Sequence, residues 1–321
     1  MKETVRIGVT GAGLAGQLHV RNLSDFPDVV ISAVCDPDLE RARSLAAVCG
    51  ATAHRTVQDM LEAEALDAVY LCIPPFAHGE PEQAVLRRRL PFYVEKPLAV
   101  DRATARAIAG DVEEAGVLTQ VGHQWRYREF VPEARELVGG AGVCLVLAQW
   151  LADLPAASWW TDDRLSGGQV VEQAVHLLDL ARLLVGEVDQ VQGAGVGGWG
   201  SQVSGSVLAA TTAILRFRTG AIGSISSTCV LSRPASYGLR LFGEGLAVEL
   251  TASTMSVERD GEIFRREDHG SAMKRADRAF VDAVRGVEMD LRSPYGDALR
   301  SHELAVAVNE SARTGEQISI S

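Results

Sequence analysis

The stretch Val5-Arg6-Ile7-Gly8-Val9-Thr10-Gly11-Ala12-Gly13-Leu14-Ala15-Gly16 joins a short apolar run to three closely spaced glycines. The run Val5–Val9 predicts a strand, and the apolar pattern from Leu14 to Leu23 predicts a helix. The glycines then form the turn between the first strand and the first helix. Backbone N–H groups at such a turn, together with the positive end of the helix dipole, can hold a pyrophosphate.

Asp36 follows the last of these glycines by twenty positions, at the end of a second predicted strand over Val29–Cys35. A carboxylate at this spacing can accept hydrogen bonds from the adenosine ribose hydroxyls, and it repels a 2′-phosphate. The pattern therefore predicts NAD rather than NADP, bound by residues 11–16 and Asp36. Arg41 lies too far into the next predicted helix to be assigned as a phosphate clamp. The alternative interpretation of the glycines is an ordinary strand-to-helix turn.

Strand and helix patterns alternate through the first third of the chain, which predicts a parallel sheet with helices on both faces. The predicted strands are 5–9, 29–35, 67–73, 91–94 and 117–121, and the predicted helices are 14–24, 38–48, 57–63, 77–89 and 101–115. Ligands bind such sheets beyond the carboxyl ends of the strands. The turns that follow the strands are therefore the candidate binding segments.

The pattern changes after about residue 122. Helices are predicted near 128–138, 168–185, 271–285 and 295–313, and runs of Val, Ile, Leu, Ser and Thr between 142 and 267 predict strands. We expect an α/β protein in which a Rossmann domain, residues 1–122, precedes an α+β domain, residues 123–321. The second domain would hold an open, mostly antiparallel sheet.

The composition argues against several classes of partner and of binding site. The 321 residues are 47% hydrophobic and carry a net charge of −11, which argues against nucleic acid or an anionic membrane as a partner. No apolar run of about 20 residues predicts a membrane span, and the N-terminus predicts no signal peptide. Five cysteines without a C-x-x-C pair suggest neither a disulfide framework nor a zinc site, so we expect a cytoplasmic protein.

The predicted helix 168–185 is apolar almost all round, yet Glu172, His176 and Asp179 share one of its faces. One interpretation is a cleft in which His176 exchanges protons and Glu172 orients it or binds substrate. The other is a solvated stripe or a local ion pair between Asp179 and Arg182. A metal site lacks a convincing third ligand.

Tyr93-Val94-Glu95-Lys96-Pro97-Leu98 falls at the end of a predicted parallel strand, on the ligand-binding edge. The proline favours an extended Lys96. A lysine there can meet a substrate hydroxyl beside the nicotinamide and transfer its proton. The alternative is an ordinary edge lysine paired with Glu95.

Over essentially its whole length, the chain resembles the glucose–fructose oxidoreductase, inositol dehydrogenase and rhizopine-catabolism (Gfo/Idh/MocA) oxidoreductases. The motifs that carry the resemblance are Gly11–Gly16, Asp36-Pro37, Pro74–His78, Glu95-Lys96-Pro97, Gly122–Arg126, Gly167–Asp179 and Ser293–Gly315. Members typically transfer a hydride between NAD or NADP and a secondary alcohol of a sugar or polyol. The resemblance identifies Lys96 as the lysine of the Glu-Lys-Pro motif and His176 as the catalytic histidine. Glu172 stands where many members have an aspartate, which weakens any transfer of sugar specificity.

The resemblance implies that residues 123–321, built on a large open sheet, serve substrate binding and oligomerisation. It also implies that the substrate lies between the nicotinamide and helix 168–185, with Lys96 or His176 removing the hydroxyl proton. Further cofactor contacts are expected from Pro74, Pro75, His78, Glu95 and Lys96. His78 could instead cap a helix, and His19 is expected to be structural. Substrate contacts are expected from Lys96, Glu172, His176 and the aromatic and basic residues Trp125, Arg126, Tyr127 and Trp160, for which domain packing is the alternative.

Three functions compete. The first is an NAD-dependent sugar or polyol dehydrogenase that forms a homodimer or homotetramer through the C-terminal sheet. The second is a glycosidase that uses bound NAD for transient oxidation. The third is a dinucleotide-binding sensor without catalysis, which would need neither Lys96 nor His176.

Overall fold

A computed structural model describes residues 2–199 and 205–320, which form two compact units. The first unit contains the residues up to Ala99, Ala103–Tyr127 and Ser271–Leu299. The second contains the described residues of Val100–Arg102, Arg128–Gly270 and the segment from Arg300 onward. The helices are α1 (Leu14–Ser24), α2 (Leu39–Cys49), α3 (Val57–Ala63), α4 (Glu80–Arg87), α5 (Arg102–Ala115), α6 (Val131–Ala141), α7 (Asp163–Ser166), α8 (Val175–Val185), α9 (Ala272–Arg285) and α10 (Tyr295–Thr314).

The first unit is built on a parallel sheet, as predicted, and the sheet has six strands rather than the five predicted. Its strands are β1 (Val5–Thr10), β2 (Val29–Cys35), β3 (Thr52–His54), β4 (Ala68–Leu71), β5 (Phe92–Val94) and β6 (Thr119–Val121), in the spatial order β3-β2-β1-β4-β5-β6. Strands β1, β2 and β4 are nearly continuous apolar runs because helices cover both faces of a parallel sheet. The order reverses direction beside β1, so the glycine turn after β1 lies at the topological switch point, where such sheets bind ligands.

Two features of the first unit were not predicted. Strand β3 is only three residues long, too short for a period-two pattern to reveal it. Helix α9 packs against α1 and β1 although it lies about 250 positions later in the sequence. Its residues Ala276, Phe280 and Val281 belong to the same apolar core as Val5 and Ile7.

The second unit is built on a nine-stranded sheet. Its strands are β7 (Val143–Asp153), β8 (Val188–Gly197), β9 (Leu208–Phe217), β10 (Ile222–Leu231), β11 (Ser236–Gly243), β12 (Leu246–Thr251), β13 (Thr254–Arg259), β14 (Glu262–Glu267) and β15 (Gln317–Ser319). The spatial order is β14-β13-β12-β11-β7-β10-β9-β8-β15. Among the described residues, β7 and β10 pair in parallel and the remaining neighbours pair antiparallel, which confirms the predicted mostly antiparallel sheet.

The segment predicted as one helix over 168–185 begins differently. Residues Val170–Ala174 form a π turn, and the α-helix α8 starts only at Val175. Gly167 and Gly168 precede the turn with φ of +74° and +85°, a conformation that favours glycine. The amide of Asn309 donates to the Gly167 carbonyl oxygen (3.0 Å) and fixes this entry. Single π turns inside helices occur frequently at functional sites.

The assignment of residues 1–122 to cofactor binding and of 123–321 to substrate binding and oligomerisation stays a prediction, because compactness does not test what a segment binds. None of the helices in the described part of the chain is both long and apolar enough to span a membrane.

Candidate active site

The glycine turn connects β1 to α1, and backbone atoms crowd two of its three glycines. Gly11 has φ of +94°, and a Cβ there would lie 2.1 Å from the Cys72 carbonyl oxygen. A Cβ on Gly16 would lie 1.9 Å from the Gly11 carbonyl oxygen. The protein's own backbone therefore excludes side chains at these two positions.

Gly13 precedes α1 as its N-cap and is not crowded by backbone. The nearest atom that a Cβ on Gly13 would meet is Nη2 of Arg41, at 3.6 Å. Within the described chain no side chain caps α1, so its first N–H groups are available to an anion. Ala12, Leu14 and Ala15 complete a cradle that fits a dinucleotide pyrophosphate, and the Arg41 side chain reaches this cradle despite its position in α2.

Asp36 ends β2 and is buried beside the turn. Its Oδ2 accepts from the Ala12 N–H (2.8 Å) and its Oδ1 accepts from the Asp38 N–H (2.9 Å). A carboxylate oxygen has a second lone pair, so Asp36 can also accept from a ribose hydroxyl. The residue thus shapes the turn and offers the predicted cofactor contact.

The segment after β4 forms a short 3₁₀ turn over Pro75–Ala77, with Pro74 before it. His78 is buried, and its Nδ1 lies 2.5 Å from Oε1 of Glu82, whose other oxygen accepts from the Gly79 N–H (2.7 Å). His78 and Glu82 therefore order the start of α4. A contact of Pro74, Pro75 or His78 with the cofactor stays a prediction.

Glu95 and Lys96 follow β5, on the same sheet edge as the glycine turn. The Glu95 carboxylate is buried and lies 3.1 Å from Nε2 of His19, so it does more than pair with the neighbouring lysine. Lys96 is half-buried and is one of three lysines in a chain with 28 arginines. Lysine can give up its proton whereas arginine cannot, so its use at this edge fits proton transfer.

Trp125, Arg126 and Tyr127 form a buried 3₁₀ turn after β6. Arg126 pairs with Asp297 (2.6 Å), and the Tyr127 hydroxyl donates to the Asp290 carbonyl oxygen and accepts from the Arg292 N–H, both at 2.9 Å. These contacts give Arg126 and Tyr127 a packing role within the first unit. Substrate binding by the three residues stays a prediction.

In the second unit, the predicted carboxylate and one predicted tryptophan meet directly. Trp160 is almost fully buried, and its indole N–H donates to Oε2 of Glu172 across 2.9 Å. Glu172 lies in the π turn and remains partly exposed. The hydrogen bond orients the Glu172 carboxylate.

His176 lies one turn further, at the start of α8, and is buried. The ring of Trp150 stacks near it, with centroids 6.1 Å apart and planes 26° apart, and Tyr237 stacks on Trp150 with centroids 5.0 Å apart. Trp150 and Tyr237 are register partners on β7 and β11. Neither was singled out from the sequence, since only the strand pairing brings them together.

Asp179 does not join this group. It is buried, accepts from the Ser301 hydroxyl (2.6 Å) and lies 4.0 Å from Arg182, which makes a bidentate ion pair with Glu187 (2.8 Å to each oxygen). The local ion-pair interpretation therefore holds for Asp179. Among residues 2–199 and 205–320, no group of three or more His, Cys, Asp or Glu side chains is arranged so that it could hold a metal ion.

Family models cover both parts of the chain. A model described as the NAD-binding Rossmann fold of the GFO/IDH/MocA oxidoreductase family matches residues 5–123. A second model, the GFO/IDH/MocA C-terminal domain, matches residues 143–249.

The chain is also similar to individual proteins and to solved structures. The rhizopine catabolism protein MocA of Rhizobium meliloti is 33% identical over 189 residues, which span 57% of this chain and 57% of that protein. The myo-inositol 2-dehydrogenase of Thermotoga maritima is 30% identical over 240 residues, 73% of this chain and 70% of that enzyme. The WlbA dehydrogenase of Bordetella pertussis, solved with NADH and UDP-GlcNAcA, shares the fold at a TM-score of 0.86, with 22% identity and 99% of both chains covered.

Proposed function

Because this chain belongs to the GFO/IDH/MocA family of NAD-binding oxidoreductases, we propose that it oxidises a secondary alcohol of an inositol, a related polyol or a sugar. The enzyme class is an NAD-dependent dehydrogenase acting on CH–OH groups. The substrate class is the finer step, and the similarity to a myo-inositol 2-dehydrogenase supports it.

The residues of this chain must bind the NAD cofactor and orient it toward the substrate. When bound, NAD supplies the nicotinamide ring that accepts the hydride. The N–H groups of the Gly11–Gly16 turn hold the pyrophosphate, and Asp36 accepts from the ribose and repels a 2′-phosphate. The Glu95-Lys96 segment follows a neighbouring strand on the same edge of the sheet.

Two residues are available for the proton that leaves the substrate hydroxyl. Lys96 is half-buried on the sheet edge that serves the cofactor. His176 is buried beside Trp150 and follows Glu172 by four residues. We assign proton removal to this pair and substrate orientation to Glu172.

The observation that carries the substrate class is the arrangement of Glu172 among aromatic rings. Trp160 orients the Glu172 carboxylate, and a carboxylate has several lone pairs with which it can accept from a substrate hydroxyl. The stacked rings of Trp150 and Tyr237 offer an apolar face of the kind that packs on the C–H surface of a cyclic polyol. A ring that carries both C–H and O–H groups satisfies both features.

The test is NADH formation, followed at 340 nm, with purified protein and a panel of myo-inositol, scyllo-inositol, glucose, sugar acids and glycosides. NAD and NADP are supplied in parallel. NADH from a free polyol or sugar supports the proposal. Bound NADH without turnover on any of these, or glycoside cleavage without net NADH, would contradict it.

We also propose that the protein forms homo-oligomers through the outer face of its large sheet. Leu147, Ser224 and Ile214 lie in one row across β7, β10 and β9, and the Leu147 and Ile214 side chains are exposed. Light scattering on Ile214→Glu against wild type tests this face. We expect a cytoplasmic protein, since all five cysteines are free thiols.

A further inference from the structure

A buried histidine in the first unit lies between two carboxylates, one of which neighbours Lys96. Nδ1 of His19 is 2.7 Å from Oδ1 of Asp277, and Nε2 is 3.1 Å from Oε1 of Glu95. The His19 and Asp277 side chains have no solvent exposure, and Asn22 donates to the second oxygen of Asp277 (2.8 Å). The cluster lies outside the proton-transfer pair assigned above.

The geometry requires His19 to donate from both ring nitrogens. Two carboxylates face the ring, so a neutral imidazole would direct a lone pair at one of them. Burial opposes the charged ring, but Asp277 and Glu95 outweigh it and raise the pKa of His19 to about 10. His19 is therefore an imidazolium at neutral pH.

The position of Glu95 is fixed from the other side as well. A Cβ on Gly122 would lie 2.5 Å from Oε1 of Glu95 and 2.7 Å from its Oε2. The carboxylate thus occupies the space that any side chain at residue 122 would need. The rings of Tyr70 and Tyr93 pack against His19, with centroids 5.2 Å and 4.9 Å away, and prevent it from turning.

His19 also lies on the helix that begins at the cofactor cradle. Helix α1 starts immediately after Gly13, and His19 lies in its middle, five residues before its end at Ser24. One rigid element therefore carries the pyrophosphate site at its N-terminus and holds Glu95 from its middle. A shift of α1 relative to β5 would change the Glu95 contact.

We infer that His19 is a positioning residue: by holding the Glu95 carboxylate it sets the orientation of Lys96 relative to the cofactor cradle. This rests on the proton-transfer role proposed for Lys96. Asp277 and Gly122 support the same arrangement, Asp277 by orienting the His19 ring and Gly122 by leaving space for the carboxylate.

Two substitutions distinguish the contact of His19 with Glu95 from its contact with Asp277. Asn places an amide N–H near the position of Nδ1, so His19→Asn keeps a donor toward Asp277 and loses the donor toward Glu95. Gln places its amide near Nε2, so His19→Gln keeps the donor toward Glu95 and loses the one toward Asp277. Both remove the positive charge and both disturb packing, which makes each the control for the other.

Turnover is measured with NAD and myo-inositol, and NADH affinity by fluorescence titration. We expect kcat to fall about 10- to 100-fold in His19→Asn, the scale of a misplaced catalytic group, while the Kd of NADH changes less than about threefold. His19→Gln should retain kcat within about fivefold of wild type. Equal losses in both variants, following their melting temperatures, would overturn the inference and leave His19 a structural residue.

A spectroscopic readout needs no substrate. The chain has three lysines, Lys2, Lys96 and Lys274, so reductive methylation with ¹³C-formaldehyde gives a simple methyl spectrum. The Lys96 signal, assigned by its loss in Lys96→Met, should move in His19→Asn and stay in His19→Gln, while the Lys2 and Lys274 signals stay in both. An unmoved Lys96 signal in His19→Asn would also overturn the inference.

The two proposals fail in different ways. Retained turnover in Lys96→Met removes the catalytic role of Lys96, whatever the methyl spectrum shows. Lost turnover in Lys96→Met together with unchanged turnover in His19→Asn keeps the proposed function and overturns the positioning role.

Discussion

The glycine turn of the first unit and the Glu172–His176 segment of the second unit were both predicted from sequence, yet they are built in opposite ways. In the turn, the contacts that fix Gly11, Gly16 and Asp36 come from the ends of neighbouring parallel strands. In the second segment, the partners of Glu172 and His176 are Trp160 and Trp150, which come from a loop and from a strand. The glycine turn is a short motif fixed mainly by backbone contacts, whereas the second segment is an assembly of side chains from separate elements.

This difference determines how much each region tolerates change. A motif fixed by backbone contacts leaves no side chain that could rearrange, so a single added methyl group disrupts it. An assembly of side chains loses one hydrogen bond or one stacked ring at a time. We therefore expect the largest effects in the glycine turn and the smallest around Glu172.

Gly11→Ala should give the largest effect. The positive φ and the 2.1 Å approach to the Cys72 carbonyl oxygen force the backbone to move, at a cost of about 3 kcal/mol or more in the free energy of unfolding. NADH binding should be lost with it. Gly13→Ala is the matched control, because it should weaken NADH binding while leaving the urea-unfolding midpoint close to wild type. If Gly11→Ala unfolds like wild type, the turn is less constrained than its contacts indicate.

The His19 cluster should make stability depend on pH in a defined direction. Because the folded pKa of His19 is about 10 against an ordinary value of 6.5, its stabilisation is complete below about pH 6.5 and is lost as pH rises toward 10. The free energy of unfolding of wild type relative to His19→Gln should fall by up to about 1.4 kcal/mol per pH unit in that range. Burial raises the pKa of Tyr70, Tyr93 and Cys72 well above their usual values, so these neighbours stay neutral. A difference that is flat between pH 6.5 and 10 would show a neutral His19.

Asp36→Ser should change the choice of cofactor. Losing the carboxylate removes an acceptor for the ribose and the bond to the Ala12 N–H, so the Kd of NAD should rise about 10- to 100-fold, or about 1.4 to 2.8 kcal/mol. The Kd of NADP should fall, because the repelling carboxylate is gone and Arg41 beside the cradle attracts the 2′-phosphate. Arg41→Ala in the same background should abolish that gain. Unchanged preference for NAD in Asp36→Ser would exclude Asp36 as the discriminating residue.

Trp160→Phe should give the smallest effect. It removes the indole donor to Glu172, but Glu172 is partly exposed and water can replace the lost bond. We expect the KM for the best substrate of the panel to rise about 3- to 10-fold, roughly 1 kcal/mol, with the Kd of NADH unchanged. Glu172→Asp, which shortens the acceptor, should not add to this loss in the double variant because both changes break the same bond. Additive losses would mean that the two side chains act separately.

The sequence predicted the first unit well for a physical reason. Strands β1 and β2 and helix α1 have strong apolar periodicity, and their bounds agree with the prediction to within one residue. Gly11 and Gly16 mark the turn because no other residue fits at these two positions. Asp36 lies twenty positions after Gly16 because most of helix α1 and the whole of strand β2 come between them.

The remaining features depend on contacts that no local pattern encodes. The π turn at Val170–Ala174 arises where two glycines with positive φ meet Asn309, far away in sequence. The stack of Trp150 and Tyr237 depends on the pairing of β7 with β11. Likewise, His19 could be assigned a structural role from its helix, but its partners Asp277 and Glu95 lie 258 and 76 positions away.

The central claim is that Lys96 takes part in proton transfer in an NAD-dependent dehydrogenase, and Lys96→Met tests it most directly. With NAD and the best substrate of the panel, kcat should fall about 10²- to 10⁴-fold, the contribution of a positioned acid–base group. The Kd of NADH should stay within about threefold of wild type. Lys274→Met is the matched control, because that lysine pairs with Asp25 and should leave kcat unchanged. Full turnover in Lys96→Met, or an equal loss of turnover and NADH affinity, would contradict the account.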